Sequence, residues 1–329
     1  MSNYTRTILV TGVTNGLGFE IATQVAKQRP DFLIVVASRS ENGAVNKVQK
    51  NSGTGNVEHL SLDLLHRDNV RDFADKWTER QYAPIHALIL NAGQQSPLGY
   101  SLSDDGFEKT FAIGYMGHAL LFALMRPHLA DDARVIITSS GSHDPAQKLT
   151  GMPHPRYESA EKTARPSPCP KTNFTTRGLE RYTTTKLATL LWMYALHRRI
   201  EIANKKTGKA WSVFASDPGL MPSTGLFRDA PAPFRFVFGQ VLSKSLPILR
   251  ATYHHHVWTP MEAGAEFAKL ALGPEGEQKG GRYFEGAKEI KSSVESYDEV
   301  KQEDMWTWTL ANVPRNEQER QLLGFTDLM

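Results

Sequence analysis

From residue 6 onward, short runs of β-branched and aliphatic residues alternate with longer stretches whose apolar positions recur every three to four residues. Such alternation predicts parallel strands joined by helices, because a crossover between parallel strands needs a helix-length connection. Strand candidates fall at residues 7–11, 32–37, 57–62, 87–90, 134–138, 212–215 and 282–284. Most of these runs are apolar at nearly every position, as expected for strands covered on both faces. The expected architecture is α/β, a Rossmann-type doubly wound parallel sheet of about seven strands. One domain spans residues 1–329, with its core at 6–219.

Three segments interrupt the pattern. Residues 141–178 carry Pro145, Pro153, Pro155, Pro166, Pro168 and Pro170 among polar residues and are expected to form a long surface excursion without regular structure. Residues 220–258 mix prolines with Phe227, Phe234, Phe236, Phe238, Leu242, Leu246 and Ile248, which suggests short helices forming an apolar flap. Residues 286–329 form a charged C-terminal extension with a helix candidate at 298–311.

Composition narrows the function classes. The chain has 38 basic and 35 acidic residues, a formal charge of +3, and its Lys and Arg residues are scattered, so nucleic acid is not an expected partner. No apolar run approaches the ~18–20 residues of a membrane-spanning helix. A single cysteine, Cys169, excludes an intrachain disulfide framework, and the N-terminal segment shows no apolar signal core. These features fit a cytoplasmic protein.

Candidate chemistry begins after the first strand, at Thr11-Gly12-Val13-Thr14-Asn15-Gly16-Leu17-Gly18, which leads into the helical stretch FEIATQVAKQ. Glycines at this spacing let backbone approach a pyrophosphate and turn helix N-terminal amides toward it. The second strand ends in Ala37-Ser38-Arg39-Ser40 with no carboxylate before Glu41. Arg39 can give a ribose 2′-phosphate two charge-assisted hydrogen bonds, which favours NADP(H) over NAD(H). Further on, Tyr182 and Lys186 stand at i and i+4 on one helix face. A nearby cation lowers a tyrosine pKa toward working pH, and Ser140 at the end of the 134–138 strand can present a hydroxyl opposite the tyrosine.

Together these residues resemble the short-chain dehydrogenase/reductase family over about residues 6–225. Thr11 to Gly18 matches its glycine motif, Asp63 its adenine-edge acid, and Asn91-Ala92-Gly93 its NAG motif. Ser140, Tyr182 and Lys186 match its catalytic serine, tyrosine and lysine, while Pro218-Gly219 with Ser223 and Thr224 matches the turn that holds the nicotinamide carboxamide. The resemblance implies that Thr11, Gly12, Asn15, Gly16, Leu17, Gly18, Arg39, Asp63, Asn91, Ala92, Gly93, Tyr182, Lys186, Pro218, Gly219, Ser223 and Thr224 bind the cofactor. It also implies that Tyr182 protonates a carbonyl oxygen polarised by Ser140 as hydride arrives, with Lys186 binding ribose and lowering the tyrosine pKa. The segment around Tyr182 is similar to the branch holding retinol-dehydrogenase-like enzymes and protochlorophyllide reductases, but Ala188 stands where the pigment enzymes carry cysteine.

One position departs from the family pattern. Gly114, in Phe111-Ala112-Ile113-Gly114-Tyr115-Met116-Gly117-His118, replaces the Asn that holds a relay water. Two functions therefore follow: NADPH-dependent reduction of a carbonyl on an apolar, multi-ring or polyketide-like small molecule, or a non-redox role such as isomerisation, cyclisation or partner binding. A homo-oligomer is compatible with both. His254-His255-His256 lack metal-site spacing and no metal is expected. Cys169 reads as an incidental loop residue, and His143 as a lesser candidate for substrate contact because its loop follows Ser140.

Overall fold

Eight strands enter one sheet: β1 (Arg6–Thr11), β2 (Phe32–Ser38), β3 (Val57–Ser61), β4 (Ile85–Leu90), β5 (Leu129–Thr138), β6 (Ser212–Asp217), β7 (Tyr283–Glu285) and β8 (Lys288–Ile290). Their spatial order is β3-β2-β1-β4-β5-β6-β7-β8. Every neighbouring pair is parallel except the antiparallel β7-β8 hairpin. The chain reverses direction across the sheet between β1 and β4, so a crevice opens at their carboxyl ends. The computed structural model describes residues 4–96, 99–147, 152–167, 174–221, 246, 250, 256–277 and 279–328.

Alternation along each strand sends side chains to two cores. Ile8 and Val10 of β1, Ile34 and Val36 of β2, and Ala87 and Ile89 of β4 pack under α1 (Gly16–Gln28), α2 (Ala44–Ser52) and α8 (Pro260–Leu272). Leu9, Val35, Leu88, Leu90, Val135 and Ile137 face the other core. That side is covered by α3 (Arg67–Arg80), α5 (Gly117–Met125), α7 (Phe174–Thr207) and α9 (Glu299–Asn312). The short α4 (Lys109–Phe111) runs through a π-helical turn, Ala112–Met116, into α5.

The seven expected strands are present, and the eighth is a three-residue polar edge strand too short for periodicity to reveal. Two other expectations need correction. The 141–178 segment is not only surface: it contains α6 (Ala160–Ala164) and the first turns of α7, and Tyr157, Ala160 and Ala164 are buried. Tyr157 Oη and the Ala160 amide both donate to Asp304 Oδ2, at 2.7 and 2.8 Å, which ties the segment to α9. The C-terminal extension, in turn, belongs to the core. Asp298 caps α9 by accepting from the Val300 and Lys301 amides, and Met305, Trp306, Trp308, Leu323 and Phe325 are buried along α9, α10 (Glu317–Gly324) and the residue that ends it. Each such side chain contributes about 1.5–3 kcal/mol. The prediction failed because charge dominates the composition there while the apolar residues sit on one helix stripe.

Candidate active site

The glycine turn is built by β1 handing over to α1. Gly12 takes φ +76°, and Asn15 at the helix N-cap makes no side-chain capping bond, so the first amides of α1 point outward unclaimed by a cap. Gly18 is a close approach: a Cβ there would lie 2.4 Å from the Gly12 carbonyl oxygen and 2.6 Å from Asn91 Nδ2. Asn91 Nδ2 donates to the Thr11 carbonyl at 2.8 Å, and Thr11 Oγ1 accepts from the Asn91 and Ala92 amides, both at 2.9 Å. The NAG segment thus braces the glycine turn from the end of β4.

A cavity of about 570 Å³ starts at this turn. Of the residues singled out from the sequence, Thr11, Gly12, Asn15, Gly16, Leu17, Gly18, Arg39, Asp63, Asn91, Ala92, Gly93, Tyr182, Lys186 and Pro218 line it. Ser140 and Gly219 directly follow the lining residues Ser139 and Pro218 in the chain. Ser223 and Thr224, Cys169, His254, His255 and most of the expected flap lie outside the described residues. The two ends of the 220–258 segment meet, because Leu220 and Val257 form a parallel bridge beside the Pro218-Gly219 turn.

At the adenosine-side end, Ser38, Arg39, Ser40, Asn42 and Lys47 line the wall. Lys47 was not singled out from the sequence; it is one cation on the polar α2, and only the fold brings it to Arg39. The lining suits a dinucleotide, with uncapped helix amides for a pyrophosphate and two cations where a ribose phosphate would sit.

The other end is buried. Tyr182 is 6% exposed and Lys186 7%. Burial pushes the Tyr182 phenol up to about 12; hydrogen bonding from Ser140 pulls it back, the charge of Asp217 raises it, and Gln95 pulls it down. Lys186 is drawn down to about 8 by burial, with Asp217 opposing. Its Nζ donates to the Thr138 carbonyl at 2.8 Å and lies 5.7 Å from the Tyr182 ring centroid. The downward pull on the tyrosine, expected from Lys186, therefore comes from Ser140 and Gln95. Ser140 Oγ accepts from Ser142 Oγ at 2.9 Å and from the Ser142 amide at 3.3 Å, which leaves its own proton free to donate.

Gly114 sits within the π-helical turn, and a Cβ on it would lie 3.3 Å from Thr185 Cγ2, so the residue before Lys186 crowds the space of the replaced side chain. Its carbonyl accepts from His118 Nδ1 at 3.4 Å, while His118 Nε2 lies 3.0 Å from Thr11 Oγ1. Burial holds His118 down to about 3, so it stays neutral. His143 is fully buried and both its nitrogens are engaged: Nδ1 with the Ser140 carbonyl at 2.7 Å, and Nε2 accepting from the Ser293 amide at 3.0 Å. It holds backbone. His256 Nε2 donates to the Asp217 carbonyl at 3.1 Å, and among the described residues no cluster suits a metal.

A sheet that reverses order at β1/β4, with a glycine turn, a serine at the end of β5 and a Tyr/Lys pair on the next long helix, defines a dinucleotide-dependent oxidoreductase class. Comparison agrees. The short chain dehydrogenase family model matches residues 6–151, and the AcuH dehydrogenase domain model matches 226–320. Polyprenol dehydrogenase of Danio rerio is 28% identical, the match covering 93% of this chain and 86% of the relative. Two solved structures share the fold. A Mycobacterium paratuberculosis protein is 24% identical, with 98% of this chain and 94% of that one covered at TM-score 0.61. A Shigella flexneri short chain dehydrogenase complexed with NADP is 18% identical, with 86% and 97% covered at TM-score 0.55. The chain is similar to proteins of the short-chain dehydrogenase/reductase family, whose members bind a nicotinamide dinucleotide. The relatives it matches are named as dehydrogenases and oxidoreductases; among the described residues no helix is long and apolar enough to cross a membrane.

Proposed function

We propose that this protein is an NADP(H)-dependent reductase of a carbonyl on an apolar small molecule, with Tyr182 as its proton donor. The observation that carries the reading is the convergence of Ser140, Tyr182 and Lys186 at the buried end of a cavity whose other end carries the glycine turn, Arg39 and Lys47. The two exposed cations support NADP(H): each can bind a 2′-phosphate, and no lining carboxylate at the end of β2 is placed to select a free 2′-hydroxyl. An NADP complex of a Shigella flexneri relative in fold agrees with this choice. An apolar substrate is supported by a relative named for an isoprenoid alcohol and by the apolar residues of the 220–258 segment.

Bound NADPH supplies hydride to the carbonyl carbon. The chain's residues do the rest. The Tyr182 hydroxyl, held protonated by burial, gives its proton to the developing alkoxide oxygen. Ser140, whose oxygen already accepts from Ser142, donates its hydrogen to the same oxygen and stabilises the charge that develops. Lys186 binds ribose hydroxyls and, as a cation, favours the tyrosinate left behind. Asp63 and Asn91, Ala92 and Gly93 fix the adenosine side; Thr11, Gly12, Asn15, Gly16, Leu17 and Gly18 hold the pyrophosphate; Pro218, Gly219, Ser223 and Thr224 hold the carboxamide. With Gly114 offering no side chain, its backbone carbonyl is the group left to receive a relay water.

The test mixes the purified protein with NADPH and, separately, farnesal, 2-tetralone and other apolar aldehydes and ketones, following reduced-nicotinamide absorbance for wild type and Tyr182→Phe. Tyrosine-dependent oxidation is expected. Tight NADPH binding without turnover on any probe would favour the non-redox alternative that Gly114 suggests.

A further inference from the structure

Directly before Pro218-Gly219 stands Asp217, the last residue of β6, 5% exposed. Both oxygens of its carboxylate are committed to backbone. Oδ1 accepts from the Gly219 amide at 2.9 Å, and Oδ2 accepts from the Gly141 amide at 2.8 Å. Gly141 follows Ser140, and Gly219 belongs to the turn assigned to the nicotinamide carboxamide. One buried side chain thus spans two neighbouring strand ends and holds the serine turn against the cofactor turn. Its own backbone is pinned as well, since the Asp217 carbonyl accepts from the Gly286 amide at 2.9 Å and from His256 Nε2.

A carboxylate taken from water costs several kcal/mol unless hydrogen bonds and a counterion offset it. The amides supply the first, and the charge of Asp217 in turn acts on Lys186, opposing the loss of its proton that burial favours. Other titratable groups face it from each packed element: Tyr182 on α7, His143 and Asp144 after β5, Tyr283 and Glu285 on β7, and His256, whose Nε2 lies 3.9 Å from Oδ2. Of these, Tyr182 and Tyr283 are pushed up by its charge, and His143 is pulled toward protonation against the stronger opposing effect of burial.

We propose that Asp217 is a positioning residue for the reaction: its two oxygens set the spacing between the Ser140 turn and the Pro218-Gly219 turn, and its buried negative charge acts on Lys186. The inference rests on the assignment of Ser140, Tyr182 and Lys186 given above. It separates two roles, geometric and electrostatic, that different substitutions isolate. Asp217→Asn keeps the volume, removes the charge and turns an amide nitrogen toward one of two backbone donors. Asp217→Glu keeps the charge and displaces the oxygens by a methylene.

The experiment has a readout that needs no cofactor: the pH titration of the Lys186 Nζ resonance in the isotope-labelled protein, assigned with Lys186→Arg. It is run beside kcat and KM for NADPH with farnesal, with Tyr182→Phe as the reference for the catalytic assignment. Asp217→Asn is expected to move the Lys186 midpoint to lower pH and to cut kcat tenfold or more while the protein stays folded. Asp217→Glu is expected to return the midpoint toward wild type with kcat still reduced. An unchanged Lys186 midpoint and wild-type kcat in Asp217→Asn would overturn the proposal. If Asp217→Asn does not fold, Asp217→Glu carries the test, and wild-type kcat in that variant overturns it. A Tyr182→Phe protein with full activity would instead sink the catalytic assignment itself.

Discussion

The two ends of the cavity handle charge in opposite ways. At the adenosine-side end, Arg39 and Lys47 are exposed, and neither makes an ion pair among the described residues. At the other end, Tyr182, Lys186 and Asp217 are all less than 10% exposed, and each is fixed by backbone or by a neighbouring side chain. Charges on flexible exposed stems act through screened attraction, which salt weakens over about 8–10 Å at physiological strength. Buried groups are governed first by lost solvation: burial draws Lys186 down to about 8 and pushes Tyr182 up to about 12, and the charge of Asp217 raises both. On the proposed function, one end selects and the other reacts.

Substitutions at the two ends should therefore fail differently. The largest effect belongs to the buried end. Tyr182→Phe removes the proton donor without changing the packing, and kcat should fall about 10²–10⁴-fold while the fluorescence-measured Kd for NADPH changes little. A parallel loss of NADPH affinity would show that the ends are not separable. Next comes Arg39→Ala. A hydrogen bond to a charged group is worth about 1.5–3 kcal/mol, so Kd for NADPH should rise about 10–100-fold, with NADH binding and kcat nearly unchanged.

Acidity gives a third contrast. Lys186 has a lowered pKa, so its positive charge is present below about pH 8 and lost as pH rises through it. Tyr182 has a raised pKa and keeps its proton well beyond that point. The kcat/KM for reduction should fall with a midpoint near pH 8, about tenfold per unit above it, and Arg39→Ala should leave that limb in place. A flat profile to pH 10 would mean that the lysine charge is not needed. The smallest effect is that of Lys47→Ala, a severalfold loss of NADPH affinity that shrinks as salt rises from about 0.05 to 0.5 M, seen by titration at the two ionic strengths. Salt-independent loss would place Lys47 outside the phosphate site.

How much of this was legible in the sequence follows the same division. Motifs read well where one short segment carries the chemistry. The glycine turn fits between β1 and α1, and the i, i+4 spacing of Tyr182 and Lys186 needs only a helix. Lys47, Gln95 and Asp217 were invisible because each joins the site through pairing or packing of distant segments: α2 beside the end of β2, the residues after the NAG motif beside α7, and β6 beside β5. Asp217 adjoins a recognised motif, yet nothing in the order Asp-Pro-Gly says that its carboxylate bonds the Gly141 amide 76 residues earlier. The α9 core residues were missed for another reason. Trp306 and Trp308 lie among Gln302, Glu303 and Asp304, and average composition there hides a buried stripe.

The Gly114 substitution shows where such reading helps most. It marked a departure from the family pattern, and the structure places it in a π-helical turn, with Thr185 occupying the space an added Cβ would meet and its carbonyl in contact with His118. The proposed catalytic pair, Tyr182 and Lys186, remains together on α7.

Hydride chemistry itself is tested most directly by isotope transfer. The wild-type protein, incubated with NADPH carrying deuterium at both C4 positions of the nicotinamide and with farnesal or 2-tetralone, should yield an alcohol with one deuterium on the carbinol carbon by mass spectrometry, and Tyr182→Phe should yield almost none. Saturating NADPH binding with no deuterium in any product would contradict the account.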